Sequence, residues 1–168
     1  MSQRSELLFF FKPHLDTAKV MLNQATNSYI TWSIKRELKG LYVLFNNIDR
    51  IRKDVGDQDV PIHCPRATFV RTLTKEVGAN VIKVKCEEIR KRMEKHFAET
   101  SDLGEVWDQM SSVLLTDYEG YSKLASQLYR FRFEVSTEEL RRVLRATGGD
   151  VSATMRRRSG GEKRPSTT

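Results

Sequence analysis

The sequence predicts an all-α protein: an antiparallel four-helix bundle with an N-terminal arm, a short closing helix and a flexible basic C-terminal tail. Apolar residues recur three and four positions apart along most of the chain, which is typical of amphipathic helices. The 168 residues, 39% of them hydrophobic, are enough for one domain with its own core but few for two. We therefore predict a helical-bundle domain at residues 1–149 and a disordered basic tail at residues 150–168.

The clearest apolar stripe lies within residues 31–54 and predicts one continuous helix there. Its members are Ile34, Leu38, Leu41, Phe45 and Ile48. A shorter stripe precedes it, with Pro13 suited to the first turn. That stripe consists of Leu15, Ala18, Met21 and Leu22. The polar residues 23–28 between the two stripes predict a turn.

The middle of the chain contains a break followed by a long helix. Two prolines and a glycine within residues 56–65 predict an extended loop. Two overlapping apolar stripes in residues 66–95 favour a long helix whose packing face rotates along its length. Gly78 and the alternating β-branched residues after it are also typical of an edge strand.

Capping-box spacing marks the helices of the second half, because a short polar side chain stands three residues before a carboxylate at several positions. The pairs are Asp102 with Glu105, Thr116 with Glu119, and Ser136 with Glu139. They predict three helix starts, and the first two helices are close enough to fuse. Gly148 and Gly149 predict the end of the last helix.

The charge distribution indicates a polyanionic partner. The net charge is +7, and residues 66–95 hold nine Lys/Arg against four Glu, a local charge of +5. The triplet Arg90-Lys91-Arg92 lies where the long helix ends, within reach of phosphates. A second interpretation remains open, in which these cations balance the helix dipole on an ordinary solvated surface.

Motifs of catalysis and metal binding are missing from the sequence. The three histidines, His14, His63 and His96, have no Cys or carboxylate at ligand spacing. We find neither a glycine-rich phosphate loop nor a nucleophile elbow, so we predict no enzyme activity, no catalytic residue, no metal site and no cofactor. The cysteines Cys64 and Cys86 form no disulfide framework, which favours a reducing compartment.

The apolar runs of the sequence are short. The longest apolar run, residues 7–11, is far shorter than the about 18 residues that a membrane span requires, so we predict no span.

Most aromatic residues lie on the apolar stripes and are therefore predicted in the core rather than as base-stacking platforms. The aromatic residues considered, most of them on these stripes, are Trp32, Tyr42, Phe45, Trp107, Tyr121 and Tyr129.

The order of several features carries a family resemblance. Trp32 opens an amphipathic helix with Arg50 at its far end, and a proline-containing loop leads into residues 69–71. A long helix then closes at residues 90–92, and another begins within residues 115–121. Over residues 30–145 this order resembles the coat proteins of rod-shaped plant RNA viruses, the tobamovirus, tobravirus, hordeivirus and furovirus group.

The resemblance implies a structural coat protein that polymerises into a helical rod. It implies single-stranded RNA clamped between successive turns through sequence-tolerant phosphate contacts, in the virion and, during assembly, in the host cytoplasm. The implied RNA-binding residues are Arg71, Arg90, Lys91, Arg92 and Asp117. The carboxylates implied at the inner channel are Glu94, Glu99, Asp102 and Glu105. By resemblance these carboxylates repel one another across subunits, so that protonation or calcium favours assembly.

An alternative function is a helical-bundle protein-interaction module, such as the C-terminal bundle of a membrane-tethering subunit. Its basic face would then contact acidic partners or lipid. A four-helix cytokine fits less well, because the two cysteines lack the spacing of a disulfide scaffold.

Overall fold

A computed structural model describes the backbone of residues 3–97 and 102–149 and the side chains of residues 12–97 and 102–149. Within these ranges every regular element is a helix, which confirms the all-α prediction. The helices are α1 (Gln3–Glu37), α2 (Lys39–Val55), α3 (Val60–His63), α4 (Arg66–Val77), α5 (Ala79–His96), α6 (Leu103–Tyr129) and α7 (Thr137–Gly148). The predicted tail at residues 150–168 lies outside the described residues.

The N-terminal half differs from the prediction in its boundaries. The predicted turn at residues 23–28 is wrong, because α1 continues through it to Glu37. Polar residues cost a helix only about 0.7 kcal/mol each at most, and this stretch has no glycine or proline to end it. The predicted helix 31–54 is interrupted at Leu38, which separates α1 from α2. The stripe itself is confirmed, since its five predicted members are all buried.

Two glycines set the breaks in the middle of the chain. At Gly56 the backbone has φ +85°, a left-handed conformation that favours glycine and ends α2. The predicted long helix over residues 66–95 is wrong in its continuity, because Gly78 separates α4 from α5. A Cβ atom on Gly78 would lie 2.8 Å from the Thr74 carbonyl oxygen. The predicted extended loop contains a one-turn helix, α3.

Of the three predicted helix starts in the second half, those after Asp102 and Ser136 are confirmed, and a capping box forms at Ser136 but not at Asp102. At the start of α7 the Ser136 hydroxyl accepts the Glu139 N–H at 3.2 Å, and the Glu139 carboxylate accepts the Ser136 N–H at 2.8 Å. The first two predicted helices are fused into α6, the alternative that the sequence left open, so no helix starts at Thr116. Thr116 instead donates its hydroxyl proton to the Ser112 carbonyl. Gly149 follows the last residue of α7, as predicted.

The core lies between the end of α1 and helices α2 and α4–α7. Aromatic rings from different helices stack within it: Phe45 on Tyr121 with centroids 4.2 Å apart, and Phe69 on Tyr129 at 4.1 Å. The Tyr129 hydroxyl donates to the Cys64 carbonyl at 2.8 Å, which ties the loop after α3 to the end of α6. Helix α5 packs against both α1 and α7, and a surface groove lies on each of these two sides.

Candidate nucleic-acid interface

The predicted cationic triplet is divided among three environments. Consecutive residues of a helix point about 100° apart, so the three side chains cannot share one face. Arg90 is 4% exposed and lies in the core of α5, between the buried Ile89 and Met93. The Lys91 side chain is 67% exposed, and Arg92 is partly buried.

Arg90 belongs to a buried cluster with Trp107. Its Nε donates to the Glu94 carboxylate at 2.9 Å, and its guanidinium carbon lies 5.1 Å from the centre of the Trp107 ring. Trp107 is 4% exposed, and its indole N–H donates to the Leu144 carbonyl at 3.2 Å. In this chain alone, therefore, the guanidinium of Arg90 is not presented to a ligand at the surface.

The surface between α1 and α5 forms the strongest candidate site. We call it the α1–α5 groove, a concavity of about 380 Å³. Its lining residues are Trp32, Arg36, Glu88, Lys91, Arg92, Lys95 and His96. Counting Lys, Arg and Glu alone, the lining has a charge of +3, four cations minus one carboxylate. A concave surface of this charge attracts phosphate groups.

The cations of the α1–α5 groove are held to different degrees. Arg92 donates from Nη2 to Glu37, a partly buried ion pair that fixes its position. Lys91 donates to Glu88 at 2.9 Å, and this hydrogen bond raises the pKa of Lys91, which keeps the amine charged. Arg36 and Lys95 are exposed, and no carboxylate of the described residues pairs with either. Within the described ranges, an anionic ligand would therefore meet no competing carboxylate at either cation.

Trp32 gives the α1–α5 groove an aromatic surface. Its side chain is 46% exposed, with the guanidinium carbons of Arg36 and Arg92 at 5.2 and 5.7 Å from the ring centre. The prediction that Trp32 belongs to the core is wrong. Trp32 lies two positions before the buried Ile34, which places it about 200° around the helix from that residue. This angular offset could have predicted from the sequence that Trp32 is exposed.

A second groove lies on the other side of Lys91, between α5 and α7. It has a volume of about 630 Å³ and mixed charge. Its charged lining residues are Lys83, Glu87, Arg90, Lys91, Glu94 and Arg142. Because the two carboxylates offset much of the positive charge and Arg90 is buried, this groove is the weaker candidate for a polyanion.

The other two residues implied by the resemblance lie elsewhere. Arg71 is exposed on α4 and lines neither groove. Asp117 lies in the interior of α6 rather than at a helix start, and it accepts the Tyr42 hydroxyl at 2.5 Å. Burial and this hydrogen bond raise the pKa of Tyr42 far above its usual 10.0, so the phenol stays protonated.

The predicted channel carboxylates lie around the end of α5 and the start of α6. Glu94 is bound to Arg90, while Asp102 and Glu105 are exposed at the first turn of α6. Glu99 lies outside the described residues. In the part of the chain that the structure describes, no group of three or more His, Cys, Asp or Glu residues is placed to hold a metal ion.

None of the described helices has the length and apolar character needed to cross a membrane.

Chemically, the α1–α5 groove supplies cations and an aromatic face, the pair of features that single-stranded nucleic-acid sites combine. No family model, curated protein or solved structure matches this chain.

Proposed function

We propose that this protein is a structural, non-enzymatic coat protein that polymerises along single-stranded RNA and packages it through sequence-tolerant phosphate contacts. The observation that carries the proposal is the α1–α5 groove, which is lined by four cations and a half-exposed tryptophan. Phosphate contacts act on any sequence, because the RNA backbone repeats whatever its bases are. A packaging protein requires this tolerance.

The proposed phosphate contacts keep Lys91 and Arg92, which the resemblance also implies, and add two cations that it does not imply. In the proposal Arg36, Lys91, Arg92 and Lys95 neutralise phosphates, and Arg90 supports the bundle beneath them. Few cations per copy give weak binding alone. When adjacent copies contact one another on the same strand, effective concentration multiplies these weak contacts into stable packaging.

The first helix supports self-association. Its residues 12–25 are exposed, and apolar side chains recur there three and four positions apart. These residues are Leu15, Ala18, Leu22 and Ala25, and in the sequence Leu8 and Phe11 continue the same spacing. A repeat of about 3.5 residues is the pattern by which one helix packs along another. The occupant that we propose is the same helix of a second copy, since every copy carries the stripe.

The rest of the coat-protein proposal concerns the assembled rod. It comprises a four-helix bundle as the repeating unit, an inner channel lined by carboxylates, and location in a virion assembled in the host cytoplasm. Asp102 and Glu105, exposed at the start of α6, support the channel carboxylates. Neutralising them by substitution should raise the pH up to which rods persist, and calcium should act in the same direction.

Binding of single-stranded poly(A) RNA across a salt series tests the proposed contacts. For a single-stranded ligand, the slope of log affinity against log salt becomes shallower by about 0.7 for each phosphate that the protein no longer neutralises. The variants Arg36→Ala and Lys95→Ala should each neutralise about one phosphate fewer than the wild type. Lys53→Ala, an exposed lysine on α2 outside both grooves, is the matched control and should leave the slope unchanged.

The same assay separates the α1–α5 groove from the position that the resemblance implied on α4. If Arg71→Ala flattens the salt slope and Lys95→Ala does not, the RNA lies on α4 and the groove assignment fails. A protein that binds no RNA and remains a monomer would instead favour the interaction-module alternative.

A further inference from the structure

The two tryptophans of the chain differ in a way that points to a ligand. Trp107 is buried and uses its indole N–H within the protein. Trp32 is 46% exposed within a cationic groove. A large apolar ring on a surface is costly to leave in water, and in a groove that attracts phosphates it is suited to a nucleobase.

We propose that Trp32 is a base-stacking platform, on which an unpaired base of single-stranded RNA stacks while the cations beside it hold the phosphates. This inference rests on the proposed function and adds to it a residue that contacts bases. Stacking tolerates any base, since every base has a π face, so it agrees with sequence-tolerant packaging.

The surroundings of Trp32 hold the ring in place. On one side it packs near Tyr29, with ring centroids 6.0 Å apart, and Tyr29 in turn contacts His96 and Phe97 at 5.5 and 5.3 Å. These contacts join α1 to the end of α5. A ring anchored by two helices loses little further freedom when a base stacks on it.

The two arginines near the ring have different freedom. Arg92 is tied to Glu37 by an ion pair, so it stays beside the ring. Arg36 is exposed, and its guanidinium lies over the ring with no carboxylate partner among the residues that the structure describes. When a base stacks on the ring, it displaces the Arg36 guanidinium, which then binds a neighbouring phosphate.

The experiment uses the full chain and the fluorescence of Trp32. In the variant Trp107→Phe, Trp32 is the sole tryptophan and reports directly on the groove. The probes are a short oligo(A) RNA and an abasic oligomer of the same length, which carries the same phosphates without bases. Oligo(A) should quench the emission of Trp32, and the abasic oligomer should bind without quenching it.

A second variant measures the contribution to affinity. Trp32→Ala should weaken binding of oligo(A) about tenfold, a typical effect for a stacked base, and leave the affinity for the abasic oligomer unchanged. Trp32→Tyr, which retains a ring, should restore part of the affinity. If Trp107→Phe does not fold, protection of wild-type emission from acrylamide gives the same information, since the buried Trp107 is shielded in any case.

Two failures are distinguishable. If both oligomers bind equally well and neither changes the emission of Trp32, the stacking inference is wrong and the phosphate-binding groove stands. If neither oligomer binds at any salt concentration, the proposed function fails and the inference fails with it.

Discussion

The buried Trp107 and the exposed Trp32 form similar pairs with arginine in opposite environments. Arg90 lies 5.1 Å from the Trp107 ring, and Arg92 lies 5.7 Å from the Trp32 ring. Arg90 and Arg92 are only two residues apart on α5, yet one joins the core and the other borders an open groove.

Residue type alone therefore does not determine the role of a cation or an aromatic ring. Two positions along a helix rotate a side chain by about 200°, which is enough to move it from the core to the surface. In the core, the arginine stem and the indole ring fill volume. At the surface, a guanidinium and an indole ring remain accessible to phosphates and bases.

Removing the buried ring should have the largest effect. Trp107→Ala leaves a cavity beneath Arg90 and should lower the free energy of unfolding by about 3–5 kcal/mol, measured by chemical denaturation. The matched change Trp32→Ala should lower it by no more than about 1 kcal/mol, because that ring is half exposed. Equal decreases at the two positions would contradict the division between core and groove.

Crowding the buried ring should also destabilise the protein. A Cβ atom on Gly148 would lie 2.4 Å from the indole nitrogen of Trp107, so Gly148→Ala should cost about 1–3 kcal/mol of stability. Gly120→Ala is the control, since open space surrounds that glycine within α6. It should stabilise the chain by about 0.5–1 kcal/mol through helix propensity, and thermal denaturation of both variants checks the opposite signs.

The buried cation Arg90 and the groove cation Lys95 can be distinguished by their effects on stability and on RNA binding. Arg90→Ala should cost about 1–2 kcal/mol because it removes the packing on Trp107, while Arg90→Met, which keeps an apolar stem, should recover most of that stability. Neither should change the salt slope of RNA binding. Lys95→Ala should do the reverse, with stability unchanged within about 0.5 kcal/mol and a flatter slope. A flatter slope for Arg90→Met would place Arg90 among the residues that bind RNA.

Alkaline pH should weaken the core, with no effect at neutral pH. Burial raises the pKa of Cys86 from 9.0 to about 12 and the pKa of Tyr121 from 10.0 to about 12. Above pH 9.0 the folded chain therefore holds protons that the unfolded chain has released, so stability is complete below that pH and falls as pH rises toward 12.

Chemical denaturation across this pH range tests the titration. The free energy of unfolding should be level between pH 7 and 9 and decline above it, and Tyr121→Phe should make the decline shallower. A free energy that rises with pH in this range would contradict the burial of these groups.

The sequence correctly predicted the apolar stripe of α1 and α2 and one of the three capping boxes. The stripe from Ile34 to Ile48 is buried, and the capping box at Ser136 forms. The ends of the helices were predicted less accurately, because they depend on packing between helices. Thr116 has the spacing of a helix start but lies within α6, and Gly78 ends one helix where the apolar stripes continue.

A count of charged residues could not predict the candidate site, because the site depends on the direction in which each side chain points from its helix. A triplet such as residues 90–92 looks like one cluster in the sequence, although its members face three directions on a helix. Trp32 and Arg36 are far in sequence from Lys95, so only the packing of α1 against α5 brings them into one groove. Their proximity could not be predicted from periodicity.

The most direct test of the coat-protein proposal is negative-stain electron microscopy of the purified full chain mixed with single-stranded RNA, followed by nuclease treatment of the same sample. We expect rods that retain nuclease-resistant RNA. Discrete small particles whose RNA is fully digested, across a range of pH, would contradict the proposal that this protein polymerises on RNA and packages it.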